Sequence, residues 1–114
     1  MDLSNWITQL RKGLLELCIV SLLGKREMYA YDLVKRLARI PGLVLTEGTV
    51  YPLLSRLNAA GLVETRLEES PTGPARKYYV LSDEGKQAMN LMQTYWADLV
   101  NGVNQLLESE EEHG

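Results

Sequence analysis

The chain has 114 residues, of which 46% are hydrophobic and 24% are charged, which fits one globular domain and excludes a disordered chain. A single cysteine excludes an internal disulfide framework and a multi-cysteine zinc site, and a single histidine, His113, leaves almost no material for His-based catalysis. There is neither an apolar run of transmembrane length nor a secretory signal, so we expect a cytoplasmic protein without a membrane partner.

The net charge of −3 at pH 7 hides an asymmetry along the chain. Residues 1–40 carry a balance of +3, residues 41–81 are neutral, and residues 82–114 carry −6. Because the acid is concentrated at the C-terminal end, the low isoelectric point argues only weakly against a nucleic-acid partner. On charge alone, ordinary solvation is the simpler interpretation.

The first predicted element is a helix that includes residues 14–23, which are apolar except at Glu16 and Ser21. A helix that is apolar all round must be covered on all sides, so we expect it to be central and also to meet a partner chain. Cys18 is expected to be a small core side chain within it. Gly24 is expected to end the helix in the left-handed conformation.

The second predicted helix runs from Ala30 to Ile40, because its apolar residues recur at helical spacing, and Pro41 and Gly42 stop it. A third helix follows, with Thr46 as the candidate N-cap and an end near Gly61. Its buried stripe is predicted to be Val50, Leu53, Leu54 and Leu57. Since proline breaks the hydrogen bonding of a helix interior, Pro52 implies that this helix either begins near Gly48 or bends.

A β-hairpin is predicted next. Residues 62–68 alternate, with Val63, Thr65 and Leu67 on one face, a dense turn signal covers residues 70–74, and residues 76–81 form the returning strand. A hairpin of this size is marginal alone, so it must pack on the helices.

The last predicted helix starts after the capping residue Ser82 and carries a heptad seam. The preceding helices and hairpin already form a core, so this seam is expected to bind a second copy of the chain. Its residues are Met89, Met92, Trp96, Leu99, Val103 and Leu106. Trp96 is interpreted as a packing anchor in preference to a ligand platform.

This order of elements is typical of a winged helix-turn-helix followed by a C-terminal helix, a mainly α fold with a small β-hairpin. The predicted organisation is a DNA-binding domain over residues 1–81, whose residues 1–10 extend the first helix, a dimerisation helix over residues 82–108, and an acidic tail over residues 109–114. Double-stranded DNA is the expected partner, because the second helix of such a motif fits the major groove.

The predicted DNA contacts combine the exposed side of the third helix with hydroxyl, aromatic and cationic residues of the second helix and the hairpin. Among them, Arg56 is best suited to a bidentate contact with guanine. The predicted residues are Tyr31, Lys35, Thr46, Thr49, Tyr51, Pro52, Ser55, Arg56, Gly73, Arg76 and Lys77. No catalytic residue, metal ligand or cofactor motif is predicted, so an enzyme is not expected. The alternative is a winged-helix protein-interaction module without DNA binding.

Several stretches of the chain resemble the PadR family of bacterial transcriptional regulators, in its short form with one C-terminal helix. They are residues 14–23, 29–33, 46–57, 61–63, 76–79 and 81–85. The resemblance implies a homodimeric repressor of adjacent genes that binds an inverted repeat and is released by a small-molecule or stress signal. It also implies that Trp96 is placed to contact an aromatic effector at the dimer interface. Ala30 departs from the family, which usually has glycine there.

Overall fold

The computed structural model describes residues 2–43, 45 and 47–109, and it confirms a mainly helical chain with a small sheet. Long helices begin and end this part of the chain, and two shorter helices and three strands lie between them. The elements are α1 Ser4–Lys25, β1 Met28–Tyr29, α2 Ala30–Leu37, α3 Glu47–Ala59, β2 Val63–Ser70, β3 Gly73–Leu81 and α4 Asp83–Glu108.

The core lies where the second half of α1 meets α2, α3 and the sheet. Ile19, Leu33 and Leu54 are all 0% exposed, and Val63 joins them from the start of β2. The apolar run in α1 packs against α2, β3 and α4, which bury part of its circumference and leave the rest half-buried. Burial of one such side chain stabilises the fold by about 1.5–3 kcal/mol.

The sheet has three antiparallel strands in the order β1-β3-β2. The two-residue strand β1 was not predicted, since two residues carry no periodicity. It exists because Met28 pairs with Tyr79 and Tyr29 pairs with Tyr78. This pairing ties the start of α2 to the hairpin.

The prediction for Gly24 was wrong, since α1 continues through it to Lys25. Gly24 instead allows a close approach between the two long helices, because a Cβ atom there would lie 2.4 Å from the sulfur of Met89. The prediction that α2 reaches Ile40 was also wrong. The helix ends at Leu37 and passes into a turn, in which the Ile40 N–H donates to the Leu37 carbonyl at 3.1 Å.

A corner formed by Gly61, Ser82 and Gly85 joins the end of α3 to the start of α4. Gly61 has φ +80°, which confirms that a left-handed glycine follows α3. The buried Ser82 hydroxyl donates to the Gly61 carbonyl at 2.6 Å and accepts from the Gly85 N–H at 3.0 Å. Ser82 is therefore the N-cap of α4, as expected, and it also anchors the corner.

The hairpin departs from its predicted burial pattern. Val63 is buried, but Thr65 is exposed and Leu67 is 68% exposed, so their common face does not contact the core. Only the base of the hairpin packs on the helices, and residues 64–69 and 71–77 are exposed. The helix α3 begins at Glu47, one residue before Gly48, so Pro52 lies within the helix. None of the helices in the described ranges is both long and apolar enough to cross a membrane.

Candidate nucleic-acid interface

The exposed side of α3 forms two rows of side chains. Tyr51 and Ser55 are four residues apart and form one row, and Thr49, Pro52 and Arg56 form the other by the i, i+3, i+7 rule. All five are exposed, whereas the opposite side of the helix is buried at Val50, Leu54 and Leu57 and half-buried at Leu53. The predicted division of α3 into a buried stripe and a polar side is confirmed by this burial.

The first row borders an open cleft of about 920 Å³. Tyr51 and Ser55 face residues from the start of α2 and from β3 across it. The cleft is lined by Tyr29, Ala30, Tyr31, Asp32, Tyr51, Ser55, Arg76, Lys77 and Tyr79. Five predicted DNA contacts, from α2, α3 and β3, therefore lie around one concave surface.

Backbone N–H groups add to the polar character of this cleft. Tyr29 is the N-cap of α2, and its side chain makes no capping hydrogen bond. The first N–H groups of a helix have no partner within the helix, and they carry part of its positive dipole. The start of α2 is therefore suited to a phosphate oxygen, although Asp32 in the first turn offsets part of the positive charge of Arg76 and Lys77.

An aromatic ladder that the sequence did not reveal holds Arg76 in place. The rings of Tyr29 and Tyr78 stack with their centroids 3.9 Å apart. The Arg76 guanidinium lies 5.3 Å from the centre of the Tyr29 ring, and Arg66 lies 4.7 Å from the centre of the Tyr78 ring. Arg66 is also ion-paired with Glu27. Side chains of the hairpin therefore contact both Glu27 and Tyr29, which precede α2.

Two tyrosines of β3, Tyr78 and Tyr79, have raised pKa values. A hydrogen bond from the Tyr78 hydroxyl to Tyr29 raises the pKa of Tyr78 to about 12, with burial as the next cause. Burial raises the pKa of Tyr79, and the nearby Tyr51 raises it further. Tyr79, which lines the cleft, therefore keeps its proton at neutral pH and can donate a hydrogen bond to an anion.

The second row of α3 does not line the cleft, and its cation contacts α1. The Arg56 guanidinium is ion-paired with Glu16 of α1, and its side chain is 62% exposed. The sequence indicated the cation but not this partner, because Glu16 lies within an apolar run of a distant helix.

The remaining predicted contacts lie around these two rows. Lys35 lies with its Nζ 5.4 Å from the centre of the exposed Tyr31 ring, one helical turn away in α2. Gly73 begins β3 at the exposed tip of the hairpin, opposite Ser70. Thr46 lies outside the described residues. No group of three or more His, Cys, Asp or Glu side chains in the described part of the chain is arranged to hold a metal ion.

A family model described as the transcriptional regulator PadR-like family matches residues 19–91 of this chain. The chain belongs to the PadR-like family. It is therefore a DNA-binding transcriptional regulator, and not an enzyme.

Solved structures of PadR-family proteins superimpose on most of the chain. A PadR-family regulator from Eggerthella lenta is 34% identical, with a TM-score of 0.80 over 95% of this chain and 94% of its own. A PadR-like regulator from Bacillus cereus is 36% identical, with a TM-score of 0.81 over 90% of this chain and 99% of its own. These matches confirm the winged-helix fold with its C-terminal helix.

This PadR-like chain also carries an apolar surface outside the winged part. Of the predicted seam, Met89 and Met92 are half-buried and pack against the chain's own core. The later seam residues are more exposed: Trp96 39%, Leu99 46%, Val103 43% and Leu106 68%. A second exposed apolar group is formed by Trp6 and Leu10 of α1 together with the N-cap residue Leu3.

Trp96 lines two neighbouring apolar grooves between α1 and α4. The larger groove has a volume of about 440 Å³, and its wall includes Leu10, Cys18 and Ile40. The smaller one, of about 300 Å³, is bordered by Tyr95 and Leu99 of α4. The indole predicted as a packing anchor is thus half in contact with its own chain and half open.

Proposed function

We propose that this regulator is a homodimer that represses adjacent genes by binding an inverted-repeat operator. The observation that carries the proposal is the cleft that brings Tyr51 and Ser55 of α3 together with Arg76 and Lys77 of the hairpin. A helix with exposed hydroxyls beside a cationic hairpin suits a major groove and the phosphates that border it.

The proposed contacts divide into two kinds. Arg76, Lys77 and Lys35 neutralise phosphates, supported by the hydroxyl of Tyr31 and the backbone at Gly73. The exposed rows of α3 supply the contacts to base edges and the groove wall, with Arg56 as the guanine-binding candidate. The base-edge and groove-wall candidates are Thr49, Tyr51, Pro52, Ser55 and Arg56. Thr46 stays in the proposed set from its position in the sequence.

Dimerisation is proposed through the uncovered seam of α4. Side chains such as Leu106, 68% exposed, cost free energy in water, and a second copy covers them with the same surface. Met89 and Met92 contribute at the edge of this interface, because both already pack on their own core. Two copies present two recognition helices to half-sites about 34 Å apart, or a multiple of that distance.

The grooves beside Trp96 are the proposed site for a small-molecule effector that releases the repressor. Their walls are almost entirely apolar, and the indole supplies a flat face on which an aromatic compound can stack. We propose the cytoplasm as the location, because the operator DNA lies there.

The proposal is tested by selecting genomic fragments with the purified protein and repeating the binding by gel shift at two salt concentrations. We expect an inverted repeat that binds one dimer, with affinity that falls steeply as salt rises. Failure to enrich any fragment at low salt would overturn the proposal and favour the protein-interaction module.

Variants locate the interface within the same assay. Each of Arg76→Ala and Lys77→Ala should reduce the slope of log K against log salt by about 1, because one phosphate contact is lost. Lys86→Ala, at an exposed lysine of α4 near Asp83, is the matched control and should leave the slope unchanged. Equal slopes for all four proteins would remove the hairpin from the interface.

A further inference from the structure

Arg56 is the cation of α3, and it is already occupied in the free protein. Its guanidinium is ion-paired with Glu16 of α1. The Arg56 side chain is 62% exposed and that of Glu16 is 29% exposed, so the pair lies at the surface and is open to solvent and to a polyanion.

We propose that Glu16 is an internal competitor for DNA. Its carboxylate holds the Arg56 guanidinium in the free protein, and DNA binds by taking the guanidinium from it. This inference rests on the proposed function, because it requires that α3 approaches DNA. It adds a residue from α1, outside the proposed interface, that sets the affinity.

The competition follows from the chemistry of the groups. A carboxylate, a phosphate and the edge of a guanine base all accept two parallel N–H bonds from one guanidinium. An exposed ion pair is worth less than a good guanine contact, so DNA prevails in the exchange. The affinity is nevertheless lower than it would be with Arg56 unpaired, by the strength of the lost pair.

The position of Arg56 on α3 supports exchange rather than a fixed brace. It shares a row with Thr49 and Pro52, both exposed, and this row adjoins the row of Tyr51 and Ser55. A long, flexible side chain near the C-terminal end of α3 can therefore turn from α1 toward the groove that α3 enters.

The first measurement is the affinity of Glu16→Gln for the selected operator by gel shift at low salt. We expect binding about two- to fivefold tighter than that of the wild type, the range set by an exposed ion pair. Glu84→Gln is the matched control, because it removes one charge from an exposed glutamate of α4 whose side chain has no ion-pair partner among the described residues. Its affinity should change less than that of Glu16→Gln.

The second measurement repeats the Glu16→Gln comparison in an Arg56→Ala background. The tightening should disappear there, since no guanidinium is left to release. A general loss of negative charge would instead persist in that background. Thermal melting of the four proteins shows that the altered affinities belong to folded protein, and a polar substitution at a partly exposed helix position should leave each melting transition in place.

The outcomes separate this inference from the proposed function. Unchanged or weaker binding by Glu16→Gln, or tightening that survives Arg56→Ala, would overturn the competitor role while DNA binding stands. Fragments recovered by Glu16→Gln but not by the wild type would support the role strongly. If neither protein enriches any fragment, the proposed function and the inference both fail.

Discussion

The winged part of the molecule, residues 1–81, and its helical arm, the second half of α4, differ in how far they bury their leucines. Leu33 and Leu54 of the winged part are 0% exposed, whereas Leu106 and Leu107 at the end of α4 are 68% and 74% exposed. The chain measures 67 × 33 × 21 Å and has a radius of gyration of 17.2 Å, against about 13 Å for a compact domain of this length. The winged part buries its apolar residues within one chain, whereas the second half of α4 leaves most of its apolar residues exposed.

The difference shows that apolar spacing alone does not identify a core. The leucines of α3 and of the seam follow the same helical spacing, yet Leu54 and Leu57 are buried in the core whereas Leu99 and Leu106 are exposed. A stripe becomes core only when another element of the chain covers it, and an uncovered stripe is a candidate interaction surface.

The strongest test of this comparison removes one leucine from each region. Leu54→Ala should lower the free energy of unfolding by about 2–5 kcal/mol, because it leaves a cavity in a closed core. Leu106→Ala should change it by less than about 0.5 kcal/mol at a protein concentration where the chain is monomeric. Urea denaturation measures both, and similar losses would show that the arm is part of the chain's own core.

A charge in the seam tests whether the arm is an interface. Leu99→Glu should raise the dimer dissociation constant by at least about 100-fold, because an unpaired carboxylate would be buried between two helices. Sedimentation should find a monomer, and circular dichroism should show that its helix content is unchanged. We expect the same results for Val103→Glu. Asp98→Ala, at an exposed neighbour outside the seam, is the control, and an intact Leu99→Glu dimer would count against this interface.

Substitution of two glycines tests how closely each end of α4 is packed. A Cβ atom at Gly85 would lie 2.0 Å from the Leu62 carbonyl oxygen, so Gly85→Ala should cost about 1–3 kcal/mol of stability. Gly102 has nothing within 4 Å, and Gly102→Ala should stabilise the helix by up to about 1 kcal/mol. Thermal unfolding measures both changes. A loss of stability at Gly102 would sharpen the comparison, because it would put that residue at a close helix contact in the dimer.

The smallest effect concerns Cys18, in the groove wall between the two regions. Burial raises the pKa of its thiol, so the folded chain disfavours the thiolate. The resulting stability is complete below the unfolded thiol pKa of about 8.5 and is lost as pH rises through the folded pKa. Between about pH 8 and about pH 10, wild type should lose more free energy of unfolding than Cys18→Ala. Parallel curves would contradict a buried thiol.

The sequence was sufficient where one segment determines its own structure. The apolar spacing of α3, the cap at Ser82 and the left-handed glycine at position 61 are local features, and the structure agrees with each. The polar side of α3 was predictable for the same reason, since burying one face of a helix fixes the other.

Features that depend on distant segments were not predictable. Strand β1 exists only through its pairing with β3, and the Tyr29–Tyr78 stack follows from that register. Leu67 alternates like a core residue, but the hairpin carries it beyond the helices. The polar residue types of the candidate site were visible in the sequence, whereas the partners of Arg56 and Arg76 depend on the fold.

The corner at Ser82 sets the direction in which α4 leaves the winged part. One hydroxyl holds the Gly61 carbonyl and the first turn of α4, and from there the helix runs 26 residues, which is about 39 Å. A swing of about 10° at this corner would move the far end by about 7 Å, roughly two base-pair steps along DNA. In the proposed dimer, the angle fixed by this serine would therefore help to set the number of base pairs between two half-sites.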